Sequence, residues 1–126
     1  MIRNINSESF DQVVLKGNKP SVVEVYTEHC PNCKVLHPIF EKTAETNNKT
    51  FDFYKLNATE NLDIAKRFKV LGVPALLFFS HGILVDRKTG VLSQQKIEKR
   101  LEPILAYSPE MAEKKKLTGY FKLPWK

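Results

Sequence analysis

A chain of 126 residues, 42% hydrophobic and 27% charged, suffices for one ordinary domain whose core needs no metal or disulfide bracing. The net charge is +6, and after Ala106 five lysines stand against two glutamates, so half of it is local to the C-terminal segment and the slightly basic body argues against a nucleic-acid partner. No stretch approaches the roughly 20 apolar residues of a membrane span, and the opening Met1-Ile2-Arg3-Asn4-Ile5-Asn6 has no apolar signal core, so a cytoplasmic chain with no membrane partner is expected.

In chain order, Asn6 or Ser7 caps a short helix that places Phe10, Val13 and Val14 on one side and ends at Gly17. Ser21 to Thr27, rich in β-branched residues, reads as a buried strand. Leu36, Ile39, Phe40, Thr43 and Ala44 then follow helical spacing, with Pro38 expected to kink the helix. Phe51 to Asn57 alternates as a strand, and Glu60 to Phe68 is predicted helical with Leu62, Ile64, Ala65 and Phe68 inward. Val70-Leu71-Gly72-Val73-Pro74 delivers a strand from Ala75 to Ser80, and His81-Gly82 is a tight hairpin connection into Ile83 to Lys88. Ser93 caps a closing helix with Ile97, Leu101, Ile104 and Leu105 on its apolar side. Two βα crossovers followed by a hairpin require a sheet with both parallel and antiparallel pairs. From Tyr107 the pattern loses helical regularity, yet Leu117, Tyr120, Phe121, Leu123 and Trp125 make the end unusually apolar.

The only two cysteines lie in Cys30-Pro31-Asn32-Cys33, at the junction of a strand and a helix. Closing so short a loop removes little unfolded-state entropy, so the pair would do little as a staple. A cysteine at a helix start feels the partial positive charge of unpaired N–H groups, which favours thiolate. An ordinary thiol with pKa near 8.5 is only about 3% ionised at pH 7, and one lowered to about 7 is about half ionised. Pro31 suits the first helical position. The spacing casts Cys30 as the outer, attacking thiol and Cys33, one turn further in, as the thiol that resolves the mixed disulfide. Glu24, mid-strand among apolar residues, is either a solvent-facing residue of a half-exposed strand or a buried carboxyl. If buried, its pKa rises toward neutrality, which suits a proton acceptor for Cys33, with Lys55 on the next strand as its electrostatic partner.

The run Val22-Val23-Glu24-Val25-Tyr26-Thr27-Glu28-His29-Cys30-Pro31-Asn32-Cys33-Lys34 with Pro38 resembles the active-site region of thioredoxins. Lys55-Leu56-Asn57, Val70-Leu71-Gly72-Val73-Pro74, Gly82, Gly90 and the closing helix fit the same template in order, over about residues 5 to 106. The resemblance implies an α/β thioredoxin fold, a mixed central sheet flanked by helices. It divides the chain into a domain at 1–106 and a basic, aromatic extension at 107–126. It implies protein-disulfide reduction by thiol–disulfide exchange, with no bound cofactor beyond a redox-active Cys30–Cys33 disulfide. Its partners would be protein disulfides and a flavin- and NADPH-dependent reductase. It further implies a cis Val73–Pro74 bond beside the cysteines, with Val73 pairing its backbone with an extended substrate, and it puts Glu24 at the family's buried acid position. The departures are His29 where tryptophan is usual, Pro31-Asn32 in place of Gly-Pro, and Ala75 in place of threonine. His29 borders the substrate side and, if protonated, adds positive charge near Cys30. Asn32 offers a donor toward its thiolate. Both would make the protein less reducing than an ordinary thioredoxin.

Two other readings compete. Cys30, Cys33 and His37 have C-x-x-C-x-x-x-H spacing, with His29 as a fourth donor, which suits zinc, but His37 is expected on the surface or groove of its helix and no metal site is assigned. A thioredoxin-fold adaptor could use the C-terminal extension as its docking segment, although packing of that segment on its own domain is the simpler expectation. His81, the run Lys114-Lys115-Lys116, and Phe51, Phe53, Phe78 and Phe79 read as a turn residue, a solvated charge run and core residues.

Overall fold

The computed structural model describes residues 2–117. Five strands, β1 (Ile2–Ile5), β2 (Ser21–Tyr26), β3 (Asp52–Asn57), β4 (Ala75–Ser80) and β5 (Ile83–Thr89), form one sheet in the order β1-β3-β2-β4-β5. Five helices, α1 (Ser7–Phe10), α2 (Pro31–Asn47), α3 (Leu62–Arg67), α4 (Gln94–Leu105) and α5 (Pro109–Lys114), pack around it, and α1 continues into a π-helical turn over Asp11–Leu15. β1 and β2 both pair with β3 in parallel, while β4 is antiparallel to β2 and β5. The crossovers and the hairpin thus make the mixed sheet that the element order predicts. This is the α/β thioredoxin fold.

β2 is central, and helices cover both faces of the sheet, so Ser21 to Val25 are all buried and β2 has no solvent side. Period-two alternation then decides what each residue meets. Val23 and Val25 join the core under Phe10, Val14, Ile64 and Ala65, on the face of α1 and α3. Val22 joins the opposite core with Leu36, Phe40, Phe53, Phe78, Ile97 and Leu101, under α2 and α4. Glu24 shares the parity of Val22 and therefore points beneath α2. In register it stands between Lys55 of β3 and Leu76 of β4.

Several elements differ from the sequence reading. β1 is a strand that Ile2-Arg3-Asn4-Ile5 does not announce, because it is a short edge strand held by pairing to β3 and buries only Ile5 fully. α3 starts at Leu62 rather than Glu60, and its first residue, Leu62, is exposed along with Leu105 at the end of α4. Both sit at helix termini, where the apolar stripe has run past the core. His81 is exposed, yet its Nε2 lies 2.9 Å from the Tyr107 carbonyl oxygen and ties the hairpin to the end of α4.

That hairpin turn has positive φ at both residues, 52° at His81 and 76° at Gly82, and a Cβ on Gly82 would lie 2.6 Å from the Leu15 carbonyl oxygen. Gly82→Ala therefore meets a backbone that cannot give way as well as a disfavoured conformation. Its expected cost is about 2 kcal/mol or more, a fall in Tm of roughly 5 °C or more that thermal unfolding would record.

Beyond α4, the expected loss of helical order does not hold over residues 109–114. Ser108 caps α5 by accepting from the Met111 N–H, Ala112 is fully buried in the α2/α4 core, and the Leu117 N–H donates to the Leu84 carbonyl of β5 at 2.9 Å. The start of the C-terminal segment thus packs on its own domain, and Ala112 is wholly enclosed there. Ala112→Leu is expected to cost roughly 1–3 kcal/mol by overpacking, read from the denaturant midpoint. The remaining apolar residues of that segment, Tyr120, Phe121, Leu123 and Trp125, lie outside the described residues. Among the described residues no helix is long and apolar enough to cross a membrane.

Candidate active site

β2 ends at Tyr26, a three-residue loop of Thr27, Glu28 and His29 follows, and Cys30 opens α2 as its N-cap, with φ −131° and ψ 100°. The Cys30 carbonyl accepts the first helical bond from Lys34 N–H at 3.2 Å, and the Cys33 N–H donates to Cys30 Sγ at 3.1 Å. The sulfur thus occupies the place of a capping oxygen and receives a helix N–H that has no other helical partner. An anion is favoured there by this donor and by the helix dipole. Pro31 sits at the first helical position and loses no bond.

Cys30 and Cys33 are joined by a disulfide, with Cα atoms 5.2 Å apart. Cys30 keeps 7% exposure and Cys33 none, so of the two residues Cys30 is the one that reaches the surface. Pro31 and Asn32 between them are exposed. The donor on Cys30 Sγ is the Cys33 backbone N–H, and the Asn32 side chain makes no hydrogen bond to it among the described residues.

Pro74 is buried and its bond to Val73 is cis. Ala75 pairs with Val25, so the start of β4 lies beside the end of β2 that leads to the cysteines. The Pro74 carbonyl accepts from Gly90 N–H at 2.8 Å, and Val73 stands just outside the strand ladder. On the other side of the loop a groove of about 410 Å³ is lined by Thr27, Glu28, His29, Asn57, Thr59 and Glu60. His29 is exposed there, next to Cys30.

Beneath α2 the Glu24 side chain has no exposure. Burial pushes its pKa up to about 7, against the pull of the Lys55 ammonium and with a further push from Glu41. Lys55 acts at a distance: its Nζ sits 5.7 Å from the centre of the Tyr26 ring. Glu24 Oε2 lies 2.7 Å from Nδ1 of His37, on α2 one turn beyond Cys33. The approach is oblique, a contact of polar atoms rather than an aligned hydrogen bond. Burial lowers the His37 pKa, Lys55 lowers it further, and Glu41 opposes them. With a pKa of about 7, Glu24 is present in both protonated and ionised forms near neutral pH, and the ionised form can accept a proton. The His37 ring is also held edge-on against Tyr26, centroids 5.3 Å apart.

Sequence reasoning places Cys30, Cys33, Glu24 and Lys55 on neighbouring elements; the structure joins Cys30 to Cys33 and sets Glu24 in register with Lys55 beneath α2, the helix that Cys30 opens. That reasoning misses His37 as a partner of Glu24. The signal was there in two parts: His37 stands four residues after Cys33, and Glu24 shares the parity of a residue packed under that helix. Among the described residues no group of three or more His, Cys, Asp or Glu is arranged to hold a metal ion.

A disulfide-bonded cysteine pair at a helix N-terminus, beside a strand that begins just after Pro74, defines a dithiol oxidoreductase site. The family model described as "Thioredoxin" matches residues 1–103. A thioredoxin of Pseudomonas aeruginosa is 33% identical over 96 residues, covering 76% of this chain and 89% of that protein. A thioredoxin of Acidithiobacillus ferridurans is 33% identical over 93 residues, 74% of this chain and 86% of its own. The chloroplastic Thioredoxin M4 of Arabidopsis thaliana is 29% identical over 104 residues, 82% of this chain and 54% of its own length. The chain belongs to the thioredoxin family. It is a thiol–disulfide oxidoreductase that exchanges electrons with protein disulfides through Cys30 and Cys33.

Proposed function

We propose that the protein runs as a disulfide reductase in which Cys30 is the nucleophile and Cys33 the resolving thiol. The Cys30 thiolate attacks one sulfur of a substrate disulfide, and the other sulfur leaves as a thiolate that takes a proton from solvent. Cys33 then loses its proton to Glu24 and attacks Cys30 Sγ. The Cys30–Cys33 disulfide forms, and the second substrate thiolate departs reduced. The observation that carries this reading is the Cys33 N–H donating to a Cys30 sulfur at the N-cap of α2, with Cys30 the one of the two residues that reaches the surface.

Val73 and Pro74 would seat an extended substrate segment by backbone pairing, and His29 would border it. Pro31, Asn32 and Lys55 would tune the acidities, the first two by setting the turn between the thiols and Lys55 by its charge near Glu24. No bound cofactor takes part in this scheme, and the dithiol is renewed by a flavin- and NADPH-dependent reductase in a cytoplasm that keeps thiols reduced. Residues 1–106 form the catalytic domain and 107–126 an extension of it. No observation favours an adaptor role for that extension.

Equilibration with glutathione tests the tuning. With Pro31-Asn32 and His29 in these places, the expected potential lies above the roughly −270 mV of a typical thioredoxin. A value at or below that overturns the tuning, and failure to reduce a protein disulfide with NADPH and a thioredoxin reductase overturns the proposed donor.

A further inference from the structure

We propose that His37 is the proton conduit of the buried carboxyl, carrying protons between Glu24 and bulk water so that the two side chains act as one unit. This rests on reading Glu24 as the acceptor of the Cys33 proton. A carboxyl with no exposure that accepts a proton must pass it on before it can serve again, and water does not reach it directly. Its strand neighbours in register are Leu76, which carries no polar side-chain atom, and Lys55, whose ammonium offers a charge but no acceptor. The side-chain atom at contact distance is Nδ1 of His37, 2.7 Å away. That nitrogen is itself buried, while 28% of the His37 side chain is exposed, so the exposure belongs to the rest of the ring, where Nε2 lies. One face of the imidazole thus meets the carboxyl and the other meets solvent.

The surroundings suit a carrier rather than a store. Lys55 on β3 opposes an imidazolium, Glu41 on α2 favours one, and Tyr26 on β2 holds the ring edge-on, with Glu28 and Glu60 beyond it acting on the phenol. Burial and Lys55 both disfavour the charged ring.

The proton count closes over a full cycle. In the oxidising half, Cys33 gives its proton to Glu24, Glu24 passes one to Nδ1, and Nε2–H releases one to water, leaving the Nδ1–H tautomer. In the reducing half, a donor dithiol attacks Cys30 Sγ and Cys33 leaves as a thiolate. Nε2 takes a proton from water, Nδ1–H moves to Glu24, and Glu24 protonates Cys33. The second donor thiol, deprotonated by solvent, then displaces Cys30 from the mixed disulfide, and the donor is oxidised. The ring returns to its starting tautomer, so no separate reset is needed.

The test is the rate of disulfide closure sustained over repeated turnovers, with excess protein-disulfide substrate and excess dithiothreitol to renew the dithiol, so that Glu24 must discharge its proton in every cycle. It compares the parent with His37→Gln, His37→Ala, Glu24→Gln and the double variant Glu24→Gln/His37→Gln, between pH 6 and 8. Each His37 variant is expected to slow closure roughly tenfold or more, toward the low end of what positioned proton transfer contributes. Added imidazole should restore the His37→Ala rate in proportion to its concentration, and His37→Gln should add nothing in a Glu24→Gln background. If Glu24→Gln is slow while both His37 variants match the parent, the conduit is overturned and Glu24 stands as acceptor. Slow His37 variants that ignore imidazole and add to the loss from Glu24→Gln would make His37 a packing residue and also overturn it. A Glu24→Gln rate equal to the parent's removes the acceptor reading, and the conduit with it. Should His37→Ala fail to fold, His37→Gln and the double variant decide through the same additivity.

Discussion

Cys33→Ser is expected to accumulate a covalent complex with its disulfide substrate through Cys30, and Cys30→Ser to capture nothing. The asymmetry follows from the site rather than from the motif. Cys30 keeps a strip of exposure and receives the Cys33 N–H, whereas Cys33 is wholly enclosed beneath the first turn of α2. The outer sulfur can therefore meet a substrate disulfide and the inner one can meet only Cys30. Without Cys33, the mixed disulfide has no internal thiol to resolve it and persists until an external thiol arrives. Without Cys30, the remaining thiol is out of reach, and turnover should fall by at least about 10³-fold, the scale on which loss of a covalent nucleophile is felt. Non-reducing electrophoresis and mass spectrometry of the captured species check both arms, and capture by Cys30→Ser would reverse the assignment.

Between pH 4.5 and 7 the oxidised protein should lose stability as pH rises, and Glu24→Gln should abolish most of that loss. Glu24 is fully buried and its pKa is raised from 4.5 to about 7. In that window the unfolded chain has released the proton that the native state still holds. The unfolded state binds fewer protons, so the free energy of unfolding declines with rising pH. Below 4.5 both states are protonated and the cost vanishes, and above 7 both are ionised and the full cost applies. Its size is about 3 kcal/mol. Urea unfolding across this range, parent against Glu24→Gln, measures it, and parallel curves for the two proteins would mean that Glu24 titrates as an exposed carboxyl.

The parts of this molecule legible in the chain are those where local chemistry and packing agree. A β-branched run ending in Cys30-Pro31-Asn32-Cys33 and a helical stripe of Leu36, Phe40, Thr43 and Ala44 leave little choice of element, and the structure has the strand, cap and helix in that order. Glu24 was ambiguous for a physical reason. Alternation tells which residues share a face, not whether that face is covered, and only the central position of β2 in the sheet decides it. β1 was unreadable because its order comes from β3 and not from its own four residues. Leu62 and Leu105 show the converse, apolar residues in phase with a buried stripe but beyond the core it meets. α5 carries a weak sequence signal because its apolar content is small: the residue that anchors it, Ala112, contributes one buried methyl group. His37 looked like a groove residue because nothing in its own neighbourhood says that a carboxyl lies beneath it.

The central claim is that a helix N-terminus makes the outer sulfur acidic enough to strike first. The rate of Cys30 alkylation in the reduced protein, followed against pH, reads that acidity directly. A midpoint well below the roughly 8.5 of a free cysteine is the expected result; a midpoint at or above that value would contradict the account.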